Sequence, residues 1–129
     1  MNAIQFIKDH GVEKAREVVE GAPDKTATHY VFRKIHNYYS VDFQSWFHDG
    51  EWWDSDCYNE QDLIDSYGVE FVVNLSYLKR LVESVDFINK FGGIDLAKAY
   101  NKEMSTHGFD PFFEKAIADY EAIYSGVHQ

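Results

Sequence analysis

The sequence predicts an α+β fold in which a three-stranded antiparallel meander, at about 28–56, packs against N-terminal and C-terminal helices. Apolar residues recur every three or four positions before residue 20 and after residue 70, as in amphipathic helices. The stretch between them is rich in β-branched and aromatic residues and contains Asp49-Gly50, a strong hairpin signal. Helices and strands do not alternate, which favours α+β over α/β. The length of 129 residues fits a single domain, 1–129.

The N-terminal segment, 2–20, predicts two helices at about 2–9 and 12–20 that meet at Gly11. Residues 4–16 read apolar-x-Phe-Ile-x-x-x-Gly-(Val/Ile)-acid-x-Ala-base, and residues 85–98 repeat this pattern with one extra Gly. The sequence therefore predicts a helix-Gly-helix corner that is used twice. Two copies are too few for a solenoid. A helix-turn-helix that reads DNA is disfavoured, because the second helices carry acids as well as bases and the protein is acidic.

The strands of the meander are predicted at about 28–36, 39–48 and 51–56. Asp-Gly favours a two-residue type I′ turn, and such a loop fixes the pairing of the strands it joins. The predicted cross-strand pairs are His48 with Glu51, Phe47 with Trp52, Trp46 with Trp53, and Ser45 with Asp54. Each face of the hairpin then carries an aromatic pair. We expect helices to cover one face and the other to be partly exposed.

The rest of the chain is predicted as an acidic loop, 57–69, followed by helices over 70–125. These helices span about 70–90, 94–105 and 111–125. Gly92-Gly93 ends the first of them. Asp110 is the expected N-cap of the last helix, with Pro111 in its first turn.

The charge is concentrated in one segment. The formal net charge is −10, and residues 41–74 hold nine acids and no Lys or Arg. The same segment contains three Trp among other aromatic residues, which are common energetic anchors of interfaces. It predicts either a recognition surface or a sheet with an aromatic inner face and a solvated acidic outer face. The candidate partner-binding residues are Trp46, Trp53, Asp49, Glu51, Asp54 and Asp56.

Composition disfavours several classes of protein. The acidic charge disfavours direct nucleic-acid binding, which depends on Lys and Arg, and would steer partners with basic surfaces toward the chain. No stretch approaches the length of a membrane span, and residues 1–8 lack the pattern of a signal peptide. A single cysteine allows no internal disulfide. We therefore expect a cytoplasmic protein.

No catalytic or cofactor motif is found, so the chain is predicted not to be an enzyme and to bind no cofactor or metal. Residues 54–65 place acids at four positions of a calcium-loop frame, but Asn59 stands where Gly is needed. The six His show no zinc spacing. Cys57 is flanked by acids, and such surroundings argue against a nucleophilic thiolate. His48 and Glu51 are expected to form a surface contact across the turn.

Three segments, 27–30 (ATHY), 49–53 (DGEWW) and 78–84 (LKRLVES) running into 91–94 (FGGI), resemble the small accessory proteins of the early regions of lambdoid phages and prophages. The resemblance implies no enzymatic activity and no catalytic residues. It implies a phage protein that acts on a host component, often by binding. The leading hypothesis is a protein that binds and modulates a host protein with a basic surface. The alternatives are a DNA mimic that inhibits a nucleic-acid-binding protein and an enzyme with an unrecognised site. Self-association through exposed aromatic residues is also open.

Overall fold

The computed structural model describes residues 3–32, 36–104 and 111–124. It confirms the α+β class: the described residues form six helices and one antiparallel sheet. The sheet has five strands, so the prediction of three is wrong. The chain divides into two compact units, 1–79 and 80–129. The single domain over 1–129 stays a prediction.

The elements follow one another in the order helices, meander, helix, strand, helices. They are α1 (Ala3–His10), α2 (Val12–Glu20), β1 (His29–Phe32), β2 (His36–Ser40), β3 (Ser45–His48), β4 (Glu51–Asp54), α3 (Glu60–Tyr67), β5 (Val72–Asn74), α4 (Leu75–Phe91), α5 (Ile94–Met104) and α6 (Pro111–Tyr124). A single 3-10 turn, Val69–Phe71, precedes β5. The N-cap predicted at Asp110 lies outside the described residues.

The first unit opens with the predicted helix-Gly-helix corner. Gly11 has φ +91°, a conformation that L side chains rarely adopt. Its N–H donates to the carbonyl of Ile7 at 2.7 Å, and its carbonyl accepts from the N–H of Ala15 at 3.2 Å. Ala15, the Ala of the repeated pattern, is fully buried.

The second unit contains the second corner. Gly92 and Gly93 both have positive φ, +123° and +109°. The N–H of Gly93 donates to the carbonyl of Ile88, and its carbonyl accepts from the N–H of Ala97, both at 3.0 Å. Gly93 therefore plays the part that the single Gly plays in the first corner, and the predicted repeat is confirmed as a repeated local structure.

The sheet belongs to the first unit and has the order β4-β3-β2-β1-β5. The strand predicted over 39–48 is two strands, because a turn at 41–44 separates β2 from β3. Ser40 and Ser45 pair across this turn. The Ser40 hydroxyl accepts from the N–H of Phe43 at 3.2 Å, and the Ser45 hydroxyl donates to the carbonyl of Phe43 at 2.8 Å. Gln44 adopts φ +52°. The turn lacks Gly, Pro and Asn, which is why its sequence resembles a continuous strand.

The acidic loop predicted at 57–69 is wrong, since α3 occupies most of it. The Asn59 side chain accepts from the N–H of Asp62 at 2.9 Å and caps the helix. Leu63 is fully buried, with Ile64 and Tyr67 packed against the same cluster. The helix predicted over 70–90 also begins late, because residues 72–74 form β5 beside β1 before α4 starts at Leu75.

Helices contact both faces of the sheet within the first unit. On one face Tyr38 donates its hydroxyl to the carbonyl of Val18 in α2 at 2.6 Å, and the Phe6 ring of α1 lies 5.1 Å from that of Phe32. On the other face α3 packs against the sheet and buries Leu63 with Tyr39 and other residues. On the β3–β4 hairpin itself, α3 packs on the face of Trp46, and Phe47 and Trp52 on the other face are partly exposed, in line with the expectation.

The second unit has its own apolar cluster, formed by Ile88, Ala97, Phe113, Ala116 and Ile117. A buried carboxylate lies in the same unit. Asp119 accepts from two nitrogens of Arg80, at 2.9 and 3.2 Å, and from the hydroxyl of Ser84 at 2.8 Å. These contacts tie α6 to α4.

Candidate functional site

The β3–β4 hairpin, which carries most of the predicted site, lies at one edge of the sheet. Its four predicted cross-strand pairs are all confirmed, from His48–Glu51 at the turn to Ser45–Asp54 at the open end. Asp49 and Gly50 have φ +51° and +79°, as a type I′ turn requires. β4 ends the strand order, so among the described residues no strand pairs with its outer side.

The two Trp residues of the predicted site share a face but differ in exposure. The Trp46 ring lies 4.6 Å from the ring of Tyr39 and 5.4 Å from that of Tyr67, and it is partly buried beneath α3. Trp53 is 53% exposed, and its indole N–H donates to the carbonyl of His48 at 3.0 Å. The structure therefore places Trp53 on the surface and assigns Trp46 to the support beneath it.

The four acids of the predicted site, Asp49, Glu51, Asp54 and Asp56, are all exposed. His48 was expected to contact Glu51, and it pairs with that residue in the backbone register. Its imidazole Nε2, however, lies 3.5 Å from Oδ2 of Asp49. Both side chains are more than half exposed, so this contact contributes little to stability.

Two more exposed aromatic residues flank the end of β4. Phe43 is 65% exposed and lies in the β2–β3 turn. A hydrogen bond of 2.7 Å, from the N–H of Ser55 to the carbonyl of Gln44, connects this turn to the end of β4. Tyr58 is 61% exposed and follows β4 in the chain. Neither residue was among the predicted site residues, although each lies outside a strand. We call the following surface the acidic edge: Phe43, Asp49, Glu51, Trp53, Asp54, Asp56 and Tyr58.

Backbone groups also point outward from the acidic edge. In a two-residue hairpin the closing pair, His48–Glu51, exchanges hydrogen bonds, and bonded and non-bonded pairs then alternate along the strands. Glu51 and Trp53 therefore direct their N–H and C=O groups toward β3. Trp52 and Asp54 direct theirs away from it, to the side where the sheet ends.

The first unit also contains a cleft of about 700 Å³, which is not lined by the residues of the acidic edge. Its lining includes Asp24, Lys25, Thr28, His29 and Lys79. The pKa of the Asp24 carboxyl lies below its ordinary value, because the side-chain hydroxyl and backbone N–H of Thr26 both hydrogen-bond to it. These bonds shape the loop before β1.

A chain of three polar side chains borders this cleft. Thr28 Oγ1 lies 2.8 Å from His29 Nδ1, and His29 Nε2 lies 2.8 Å from Glu60 Oε2. A hydroxyl, an imidazole and a carboxylate in series can support nucleophilic catalysis. Thr28 Oγ1, however, also accepts the N–H of Val41 at 2.9 Å and lies 3.2 Å from the carbonyl of Tyr39. An oxygen engaged in this way is a poor nucleophile, and the arrangement instead ties β1 to the β2–β3 turn and to α3.

The calcium-loop frame at residues 54–65 does not form a loop in the structure. Its second half is the capped helix α3, in which Asp62 accepts the N–H of Tyr58 and Asp65 accepts from Gln61, both at 2.8 Å. Within residues 3–32, 36–104 and 111–124, no three His, Cys, Asp or Glu side chains are grouped so that they could hold a metal ion. None of the described helices is both long and apolar enough to cross a membrane.

Comparison with known proteins found no match: no family model, no curated protein and no solved structure is significantly similar to the chain.

Proposed function

We propose that this chain is a phage accessory protein that acts in the host cytoplasm, where it binds and modulates a host protein with a basic surface. The acidic edge is the observation that carries the proposal. It combines an exposed Trp, two further exposed aromatic rings and four exposed acids at one end of the sheet. The sequence resemblance to accessory proteins of lambdoid phages supports the same class of function.

The chemistry of the acidic edge suits a basic protein surface. Aromatic rings supply contact area and cation–π interactions with Arg, while carboxylates steer a basic partner and fix its orientation. The partly buried Trp46 lies beneath this surface, against Tyr39 and Tyr67. Such support holds the hairpin in one conformation, which lowers the entropy cost of binding.

The two alternatives have less support. A DNA mimic needs a long row of carboxylates at about one charge per 1.7 Å of duplex axis. Three acids of the segment are instead engaged within the fold, Glu60 with His29, Asp62 with Tyr58 and Asp65 with Gln61. The enzyme alternative would use the Thr28 hydroxyl, whose hydrogen bonds favour a structural role.

The proposal is tested by affinity capture from host lysate with the wild-type chain and the Glu51→Lys/Trp53→Ala variant. We expect the variant to lose a specific partner, and we expect that partner to elute from the wild type at raised salt because carboxylates carry the attraction. The matched control is Glu17→Lys/Val12→Ala, which makes the same kinds of change in α2, on the exposed Glu17 and the partly buried Val12. Equal recovery by the wild type and the acidic-edge variant would refute the proposal.

A further inference from the structure

The outer side of β4 offers what a further strand requires. Its four residues pair with β3 without interruption, and the outward backbone groups of Trp52 and Asp54 are spaced as in a regular antiparallel ladder. Edge strands are commonly blunted by Pro, by bulges or by covering segments. β4 contains no Pro and has no bulge in its pairing with β3, and Glu51, Trp53 and Asp54 are exposed.

The charge of the acidic edge determines which strand can bind there. A second copy of this chain, pairing antiparallel through β4, would bring the segment 49–56 of each copy side by side, and each segment carries four acids and no Lys or Arg. Like charges brought together across a strand pair destabilise a sheet, so the acids oppose self-pairing. The same carboxylates favour a segment with Lys or Arg opposite them.

We propose that an extended, basic segment of the partner protein adds as a sixth strand beside β4. This inference rests on the proposed function and specifies how the acidic edge binds. Trp52 and Asp54 exchange backbone hydrogen bonds with two alternate residues of the segment. Because side chains alternate, Glu51 and Asp54 face opposite sides of the sheet and select Lys or Arg three residues apart.

The two positions between these basic residues are also specified. The position opposite Trp53 takes an Arg, whose guanidinium stacks on the exposed indole. The position opposite Trp52 takes an apolar residue, because Trp52 is partly buried and its ring lies 5.3 Å from that of Phe47. In antiparallel orientation the segment therefore reads basic–Arg–apolar–basic, running from Asp54 toward Glu51.

The probe is a short peptide with the core Lys-Arg-Val-Lys and Thr-Val flanks, and its binding is measured by calorimetry. Glu51→Lys/Asp54→Lys should weaken binding about tenfold or more, because two opposite-charge cross-strand pairs become like-charge pairs. The control variant Glu17→Lys/Glu20→Lys changes the net charge equally, on exposed residues of α2, and should bind as the wild type does. Near-UV circular dichroism establishes that both variants fold.

Backbone N-methylation separates strand addition from simple charge attraction. A peptide methylated on the first Lys and the Val loses both N–H groups that face β4, and its affinity should fall about tenfold or more. A peptide methylated on the Arg and the second Lys keeps them and should bind almost as the parent does. Hydrogen exchange of the Trp52 and Asp54 amides should slow when the parent peptide binds.

The possible failures distinguish the two proposals. If both methylated peptides bind equally while Glu51→Lys/Asp54→Lys still weakens binding, strand addition is wrong and recognition of a basic partner stands. If the parent peptide binds the wild type and Glu51→Lys/Asp54→Lys equally, or binds neither, strand addition is wrong, and the lysate capture decides the proposed function separately. Sedimentation without peptide tests the remaining occupant. If the wild type dimerises and Glu51→Lys/Asp54→Lys does not, the occupant of the edge is a second copy, and the assignment to a partner segment is overturned.

Discussion

The cross-strand pair Trp46–Trp53 allows the support of the hairpin to be separated from its binding surface. Both residues share a face and a register position, but only Trp46 contacts Tyr39 and Tyr67. The same substitution, Trp to Ala, therefore removes core packing at one position and mostly surface area at the other. We predict that Trp46→Ala destabilises the chain strongly, whereas Trp53→Ala leaves it folded and reduces partner binding.

The magnitudes follow from burial. A Trp side chain covers roughly 250 Å², and apolar burial is worth about 25 cal/mol per Å². Most of Trp46 is enclosed, so its loss should cost about 3–4 kcal/mol of unfolding free energy, including the cavity that remains. Trp53 is 53% exposed, and after allowance for what Ala still buries its loss should cost about 1–1.5 kcal/mol.

The assay is urea denaturation followed by far-UV circular dichroism, since this signal does not depend on the number of Trp residues. Capture of the partner identified with the wild type is measured in parallel, below the denaturation midpoint of each variant. Equal losses of stability at the two positions would refute the assignment of Trp46 to the support. Undiminished partner capture by Trp53→Ala would remove Trp53 from the binding surface.

Three further predictions concern stability. Asp119→Ala should lower the unfolding free energy by about 2–3 kcal/mol, because it leaves the Arg80 guanidinium and the buried Ser84 hydroxyl without this acceptor. The control is Glu114→Ala, on the exposed side of α6. Equal denaturation midpoints of the two variants in urea would contradict the role of Asp119. Gly11→Ala should cost about 1 kcal/mol from backbone strain alone, since nothing lies within 4 Å of an added Cβ; an unchanged thermal midpoint would show that the corner tolerates L residues. Burial raises the pKa of Tyr38 to about 12 from 10.0, so the folded state favours the protonated phenol and should lose stability between pH 10 and 12. Urea titrations should show a shallower loss of unfolding free energy with pH in Tyr38→Phe. An identical pH dependence in the wild type and Tyr38→Phe would show that Tyr38 is not responsible.

Local signals in the sequence located those parts of the fold that local chemistry determines. The glycines at 11 and at 92–93 predicted where one helix gives way to the next, and in the structure these glycines have positive φ. Asp49-Gly50 determined a turn type, and the turn determined the register of four residue pairs. In both cases the backbone conformation depends on a residue that tolerates positive φ.

The elements that sequence analysis missed depend on long-range contacts. β5 has only three residues and is a strand because it pairs with β1, more than forty positions earlier. The β2–β3 turn depends on hydroxyls of Ser40 and Ser45, which become neighbours only when the strands pair. α3 did carry a local signal, since Asn59 with Asp62 is a typical N-cap pattern, but the density of acids favoured a loop.

The candidate site was located correctly in sequence and only partly in space. Trp46 and Trp53 differ in how much of each side chain is exposed, and the alternation of residues along the strands could not predict this difference. Cross-strand partners lie on the same face, so the pattern treats them alike. The side of the hairpin that α3 covers depends on the path of the chain from β4 to β5. That path was not predictable once the helix had been interpreted as a loop.

The position of the charges follows from how the sheet is covered. Helices of the first unit contact both faces of the sheet, and most of the exposed residues of its described strands lie on β4 at the edge. An exposed edge risks uncontrolled pairing with other strands, and acids on β4 reduce that risk. They do so selectively, because a carboxylate repels another copy of this acidic chain and attracts a basic segment. Glu51 and Asp54, exposed on the strand that ends the sheet, would therefore both protect this edge and select the proposed partner segment.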